Sequence, residues 1–250
     1  MSAPRTFKIE AFLKSREARY ISLEKSVAVD NMVFSPLETQ KNRIKVSFTI
    51  EAYSEEEAKD KAQKLLNSIC AAFLLDTNVA MRVDDIDIVE VREPHVAKAG
   101  KMVVIGVHKI VRLKDEVVLG VAIGESHLKH IFEKAKRMRN LDERLIRFLR
   151  WYAWALLEDD PIDKFAHLWI ALEIWAEYKG YKKGKEGEKA KMTNTLVHEC
   201  GVNEEDAEKM YIIRSKLFHS GIYTEAVEKL PQLEQCLMSI LSKIKHNIFT

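Results

Sequence analysis

The feature that most constrains this chain is a change of hydrophobic period. In the first half apolar residues recur every second position: Phe7, Ile9, Ala11 and Leu13 alternate with polar neighbours, as do Ile44, Val46, Phe48 and Ile50. Alternation of that kind buries one face of a β-strand. From Gly124 onward the apolar spacing becomes three and four, the signature of helices that bury one stripe. At 250 residues the chain is long enough for two modest cores. The expected fold is therefore an α+β N-terminal domain, residues 1–123, with an antiparallel or mixed sheet and one helix. An all-α helical bundle, residues 124–250, follows it.

Within the first half, Ser15 to Lys41 is weakly patterned and reads mostly as loop. Ser54-Glu-Glu-Glu57 is a capping box in which the Ser hydroxyl and the Glu57 carboxylate satisfy amides of the first helical turn. The helix it opens buries Ala58, Ala62, Leu65, Leu66, Ile69, Ala72 and Phe73. Strands are expected at Ile86–Val91, Met102–Leu113 and Val117–Ile123.

In the second half a basic helix, residues 126–139, bridges the two parts. Asp142–Leu157 follows, with Leu145, Phe148, Leu149, Tyr152, Ala155 and Leu156 as its stripe. Asp160-Pro161 supplies an N-cap and a proline at the first helical position, where its missing amide is harmless. The helix it starts buries Phe165, Leu168, Trp169, Leu172 and Trp175 and ends near Gly180. Tyr181–Lys191 reads as a flexible loop, Lys191–Cys200 as a short helix stopped by Gly201, and Glu204 to His219 as a helix capped by Asn203. Pro231 is read as opening the last helix.

Composition excludes several classes. With 47% hydrophobic and 31% charged residues the chain is not disordered. No apolar run approaches the ~18 residues of a membrane span, and Met-Ser-Ala-Pro-Arg-Thr lacks the apolar core of a signal peptide. A soluble cytoplasmic protein with no membrane partner is expected. Cys70, Cys200 and Cys236 are an odd number without a Cys-x-x-Cys pair, which argues against a zinc ribbon or a disulfide framework. Cys70 and Cys236 read as core residues. Net charge is only +2, but Lys98–Arg150 holds thirteen Lys or Arg against six Asp or Glu. A footprint for a polyanion would lie there.

Two segments carry the chemistry: Asp160-Pro-Ile-Asp-Lys-Phe-Ala-His-Leu-Trp-Ile-Ala-Leu-Glu173 and Met210-Tyr-Ile-Ile-Arg-Ser-Lys-Leu-Phe-His-Ser-Gly221. The second places an arginine, four residues, then a histidine just before a helix stop. Together they resemble the HEPN superfamily, especially its ApeA-like branch, over roughly Leu141 to Thr250. The resemblance implies a four- or five-helix bundle, commonly dimeric, and for many members a metal-independent ribonuclease built from the Arg and His of both protomers. Carried over by position, Arg214 is the phosphate clamp and His219 the acid/base, with Glu173 and Ser215 in support. The chemistry agrees. Histidine exchanges protons near neutral pH, and the arginine fork fits a crowded phosphate. Catalytic members usually carry Asn, Asp or His directly after the arginine, and here it is Ser215. That departure keeps a structural role for the pair open.

Geometry adds a condition. Five helical residues advance ~500°, so Arg214 and His219 stand ~140° apart. Convergence needs the helix to end near His219, the reach of arginine, or a second protomer. A homodimer is therefore expected, with RNA as candidate substrate and an antitoxin or regulator as a candidate partner.

The remaining features take blander readings. Arg144, Arg147 and Arg150, with Arg137 and Arg139, form either an RNA track or a solvated face. His127, His130 and Glu133 have helical metal-ligand spacing but no distant third ligand, so no metal is expected. Trp151, Trp154, Trp169 and Trp175 read as core or dimer interface rather than base-stacking platforms, and His167 and Tyr211 as packed residues. No Gly-x-Ser-x-Gly, P-loop, dinucleotide fingerprint or His-Glu-x-x-His occurs, and no cofactor is expected. The leading reading is a metal-independent endoribonuclease, a toxin or defence effector, with residues 1–123 as a sensing or partner module. Its rivals are a non-catalytic HEPN interaction protein and a small-ligand binding bundle.

Overall fold

The computed structural model describes residues 3–16, 21–23, 25–37, 40, 42–92, 121–122, 125–138, 140–182, 187–220 and 224–249. They form two compact units, one of residues 1–66 with 83–132, the other of residues 67–82 with 133–250.

The first unit is built on a five-stranded sheet. Its strands are β1 (Arg5–Ser15), β3 (Val27–Val29), β4 (Met32–Pro36), β5 (Arg43–Ala52) and β6 (Met81–Arg92), in the order β3-β4-β5-β1-β6. A separate parallel pair joins β2 (Ile21–Ser22) to β7 (Val121–Ala122). The period-two residues explain the register. Antiparallel β1 and β5 set Ile9 opposite Phe48, Ala11 opposite Val46 and Leu13 opposite Ile44, and these six residues fall on one buried face. Lys45 pairs with Glu10 at 2.6 Å on the other face, and the Arg43 guanidinium lies 4.7 Å from the Phe12 ring centroid.

The segment 15–41, expected to be mostly loop, holds β2, β3 and β4 among its described residues. Val27 and Val29 pair through a tight turn with Met32 and Phe34, and all four are buried. Three-residue strands are too short to show a period, which hides them in the sequence. Asp30 takes φ 51° in that turn, a conformation that Asp tolerates better than most residues. The expected strands over 102–113 lie outside the described residues.

Helix α1 (Glu55–Thr77) begins as its capping box requires: Glu57 N donates to Ser54 Oγ at 3.1 Å, and Tyr53 N donates to the Glu57 carboxylate at 2.8 Å. Helix α2 (Glu125–Met138) buries Leu128, Ile131, Phe132, Ala135 and Met138.

The second unit holds α3 (Glu143–Leu157), α4 (Pro161–Tyr178), α5 (Gly187–Cys200), α6 (Glu204–Ser220) and α7 (Thr224–Phe249). Asp160 caps α4 through Ile162 N at 2.7 Å, with Pro161 next in line. Gly180 and Gly201, at φ 80° and 70°, end α4 and α5. Two boundaries differ from the spacing-based expectation. Helix α5 starts at Gly187, so the lysine-rich connection is shorter than 181–191. Helix α7 starts at Thr224 and runs through Pro231. A proline removes one helical bond, yet Ala226, Leu233 and Leu237 stay buried across it, so burial outweighs the local cost.

The cysteines also depart from expectation. Cys200 and Cys236 form a disulfide, with Cα atoms 4.7 Å apart. Pairing depends on three-dimensional proximity, which spacing does not encode: the end of α5 meets the middle of α7. Cys70 stays free and buried, and burial pushes its thiol pKa up to about 12, which leaves it inert at neutral pH.

Closing a loop with a sequence separation of 36 removes chain entropy from the unfolded state, roughly 3–4 kcal/mol. Reduction by dithiothreitol is expected to lower the melting temperature by several degrees, and to leave Cys200→Ser unaffected. Equal melting of oxidised and reduced parent protein would contradict a structural role for this bond.

Candidate functional site

The second unit brings Glu173 and Arg214 together across a sequence separation of 41. Glu173 sits on α4 one turn after Trp169, at the edge of the buried stripe. Its Oε1 accepts two hydrogen bonds, from the Trp169 indole N–H at 2.8 Å and from Arg214 Nη2 at 2.8 Å. Trp169 is fully buried, stacked against Phe165 with centroids 6.0 Å apart and tilted towards Tyr211 at 6.4 Å. The carboxylate is thus aimed by an immobile ring.

Helix α6 presents Arg214 to it. Asn203 caps that helix, accepting from Asp206 N at 2.9 Å, and Ala207, Met210 and Ile213 form the buried stripe. Arg214 lies on the flank of the stripe. Its guanidinium is 4.9 Å from the Phe218 ring, one turn on. Its Nε is enclosed without a hydrogen-bond partner. The side chains of Arg214 and Glu173 are 23% and 26% exposed, so solvent screens their attraction only in part. The guanidinium is held at one nitrogen and one face.

His219 lies elsewhere. It is exposed, in the last turn of α6, and makes no hydrogen bond or ion pair among the described residues. The helix continues through Ser220, so Arg214 and His219 keep the ~140° offset of an ideal helix. Glu173 therefore orients Arg214 and not His219. Ser215 is half-buried between them and has no partner among the described residues. Sequence reasoning missed Phe218 as the support for Arg214 and Trp169 as the orienter of Glu173. Both were legible as i, i+4 spacings.

The arginines of the candidate track divide. Arg144 is engaged: it grips Asp142 with Nε at 3.0 Å and Nη2 at 2.5 Å, and donates to the Glu177 carbonyl at 3.1 Å. Hydrogen bonds from its side chain and backbone hold the Asp142 pKa down at about 2. Arg137 and Arg147 are exposed, Arg150 is half-buried, and Arg139 lies outside the described residues. Trp169 and Trp175 are buried, whereas Trp151 and Trp154 are half-exposed. His127 and His130 are exposed on α2. Among the described residues no group of three or more His, Cys, Asp or Glu is placed to hold a metal ion, and no helix is long and apolar enough to cross a membrane.

Compared with known proteins, the chain matches no family model, no curated protein and no solved structure.

Two outcomes follow from this geometry. Glu173→Gln leaves Arg214 without its counter-charge and is expected to cost roughly 1–3 kcal/mol. Arg214→Gln alone should cost a comparable amount, and the double variant less than the sum of the two. Strict additivity in chemical denaturation would mean that the pair is not coupled. Separately, the Asp142 carboxyl should titrate at about 2 by NMR and return towards its ordinary value, 3.8, in Arg144→Ala. Its folded pKa is depressed, so any stability it contributes is present above the unfolded value and is lost as pH falls from about 4 towards about 2.

Proposed function

We propose that the helical unit is a metal-independent endoribonuclease of HEPN type, with Arg214 as the phosphate clamp and His219 as the acid/base. The observation that carries this reading is the difference between the two side chains. Arg214 is oriented by Glu173 and Phe218, while His219 stands in solvent on the same helix. A guanidinium fixed before substrate arrives can meet charge developing on phosphorus without reorganising. An exposed imidazole can take the proton of a ribose 2′-hydroxyl or give one to the leaving oxygen.

The angular offset makes a second copy part of the proposal. Ile212, Ser215 and His219 fall within ~60° of one another on α6, and Ile212 is 45% exposed. An exposed apolar residue beside a histidine suits a face that meets another protomer. The His219 of one chain would then complete the Arg214 site of the other. In this reading the first unit serves as a sensing or partner-binding module, and the protein acts as a toxin or defence effector held by an antitoxin or regulator.

A second reading has its own support. The ion pair between Arg214 and Glu173 joins α4 to α6 and is less than one-third exposed on both sides, as a bond that holds a bundle together would be. There the protein is a non-catalytic interaction module and His219 is surface.

Purified protein incubated with RNA decides between them. The ribonuclease should cut with EDTA present, leave cyclic phosphate ends and elute as a dimer by light scattering. His219→Ala should abolish cleavage with little change in melting temperature, because an exposed residue without partners carries little stability. Absence of cleavage by the parent protein, or cleavage that depends on added magnesium or manganese, would refute the mechanism.

A further inference from the structure

One face of α3 carries a constellation that neither the core nor the Arg214 site uses. On an ideal helix Arg147, Arg150, Trp151 and Trp154 lie within ~100° of one another, and Trp154 is ~180° from the core residue Leu145. The aromatic rings are gathered into a cluster. Trp151 and Trp154 meet edge to face with centroids 4.9 Å apart, and His167 of α4 completes the group at 5.3 Å and 6.2 Å. The Arg150 guanidinium lies 5.3 Å from the Trp154 ring. Both indoles and the imidazole are half-exposed, so each ring keeps surface that is open to solvent.

The polar atoms here are undersupplied. Arg150 Nε and His167 Nδ1 are enclosed yet have no hydrogen-bond partner. The nearest carboxylate oxygen to His167 Nδ1 is Glu158 Oε2, at 3.9 Å, too far for a hydrogen bond. Neither Arg147 nor Arg150 has an ion-pair partner among the described residues, in contrast to Arg144 one turn earlier. Glu143 lies on the same helix face but not within ion-pair distance. Burial, and next the like charge of Arg147, lower the Arg150 pKa.

We propose that Trp151, Trp154, His167, Arg147 and Arg150 form a binding platform for single-stranded RNA, on which a base stacks against indole while the two guanidiniums take the adjoining phosphates. The chemistry selects this ligand. Tryptophan faces accept any base, and arginine beside them adds both cation–π attraction and a phosphate contact. Two neighbouring cations without an ion-pair partner among the described residues disfavour a second copy of this chain, which would have to supply carboxylates to the same spot. Duplex RNA fits poorly, because its bases are stacked internally and not available to indole. The platform deepens the ribonuclease reading by naming where the strand is held away from the scissile centre. His167 and Glu173 are ~120° apart around α4, so the platform and Arg214 occupy different sides of that helix.

Binding and cleavage are read separately, so that one can fail without the other. Fluorescence anisotropy of a labelled short oligouridylate is measured with full-length protein and with His219→Ala, which are expected to bind alike. Trp154→Ala and Arg150→Gln should each weaken binding on the order of tenfold. Trp154→Phe should retain most of it, and Arg150→Gln should flatten the dependence of log affinity on log salt by about one. Tryptophan fluorescence should be quenched by RNA in the parent and much less in Trp151→Phe/Trp154→Phe. If Trp154→Ala lowers the melting temperature, Arg150→Gln and the phenylalanine variants carry the test. Failure of the parent to bind single-stranded RNA overturns the platform, whether or not the protein cleaves RNA at other conditions. Unchanged affinity in Arg150→Gln and in the double phenylalanine variant overturns it too. So does a parent dimer that Trp154→Ala converts to monomer while RNA affinity stays constant, since the stripe would then belong to a protomer contact.

Discussion

The helical unit turns on one carboxylate. Glu173 Oε1 takes a proton donor from inside its own helix and another from α6, and each fixes the other's geometry. Without the buried indole of Trp169 the carboxylate would choose among rotamers; without Glu173 the guanidinium of Arg214 would have only a phenyl face to rest on. A two-donor acceptor at the edge of a core is specific because it is strongest when both donors are in place. It also makes the functional candidate and the scaffold the same object. The side chain proposed as the phosphate clamp is held by a residue that joins two helices.

That node depends in turn on where the helices begin and stop. The Asp160 cap and Pro161 set the first residue of α4, and through it the azimuth of Trp169 and Glu173. Asn203 does the same for α6. Adding or removing one residue between either cap and its site residue would rotate that residue by ~100° relative to the helix start and separate the two. Gly180, which ends α4, limits such slippage there. Capping residues usually discussed for stability here have a positional consequence.

Much of this was legible in the sequence because it is local. The period change located the sheet and the helices, the Ser54 box and the Asp160-Pro161 signal located helix starts, and alternation in β1 and β5 identified their buried face. What escaped was of two kinds. Short strands such as Val27–Val29 carry too few residues for a period, and Pro231 gave a start signal that a longer buried stripe overrode. The second kind is contact between distant positions. Arg214, His219 and Glu173 could be named from their motifs, but that Glu173 meets Arg214 and not His219 depends on how α4 and α6 pack. Likewise the union of Cys200 with Cys236 is invisible to spacing rules. The tryptophans show the boundary between the kinds. Trp154 is half a turn of azimuth away from the Leu145 stripe, so helix arithmetic alone separates it from the core residues. That His167 closes the cluster required the packing of α4 on α3.

The disulfide between Cys200 and Cys236 makes the intervening chain a closed covalent ring, and α6 lies wholly inside it. A protease that severs one peptide bond anywhere from Gly201 to Gln235 therefore releases no fragment while the sulfurs remain joined. The cut protein would migrate as two pieces only after reduction. Arg214 and His219 thus belong to a segment that nicking can open but cannot detach.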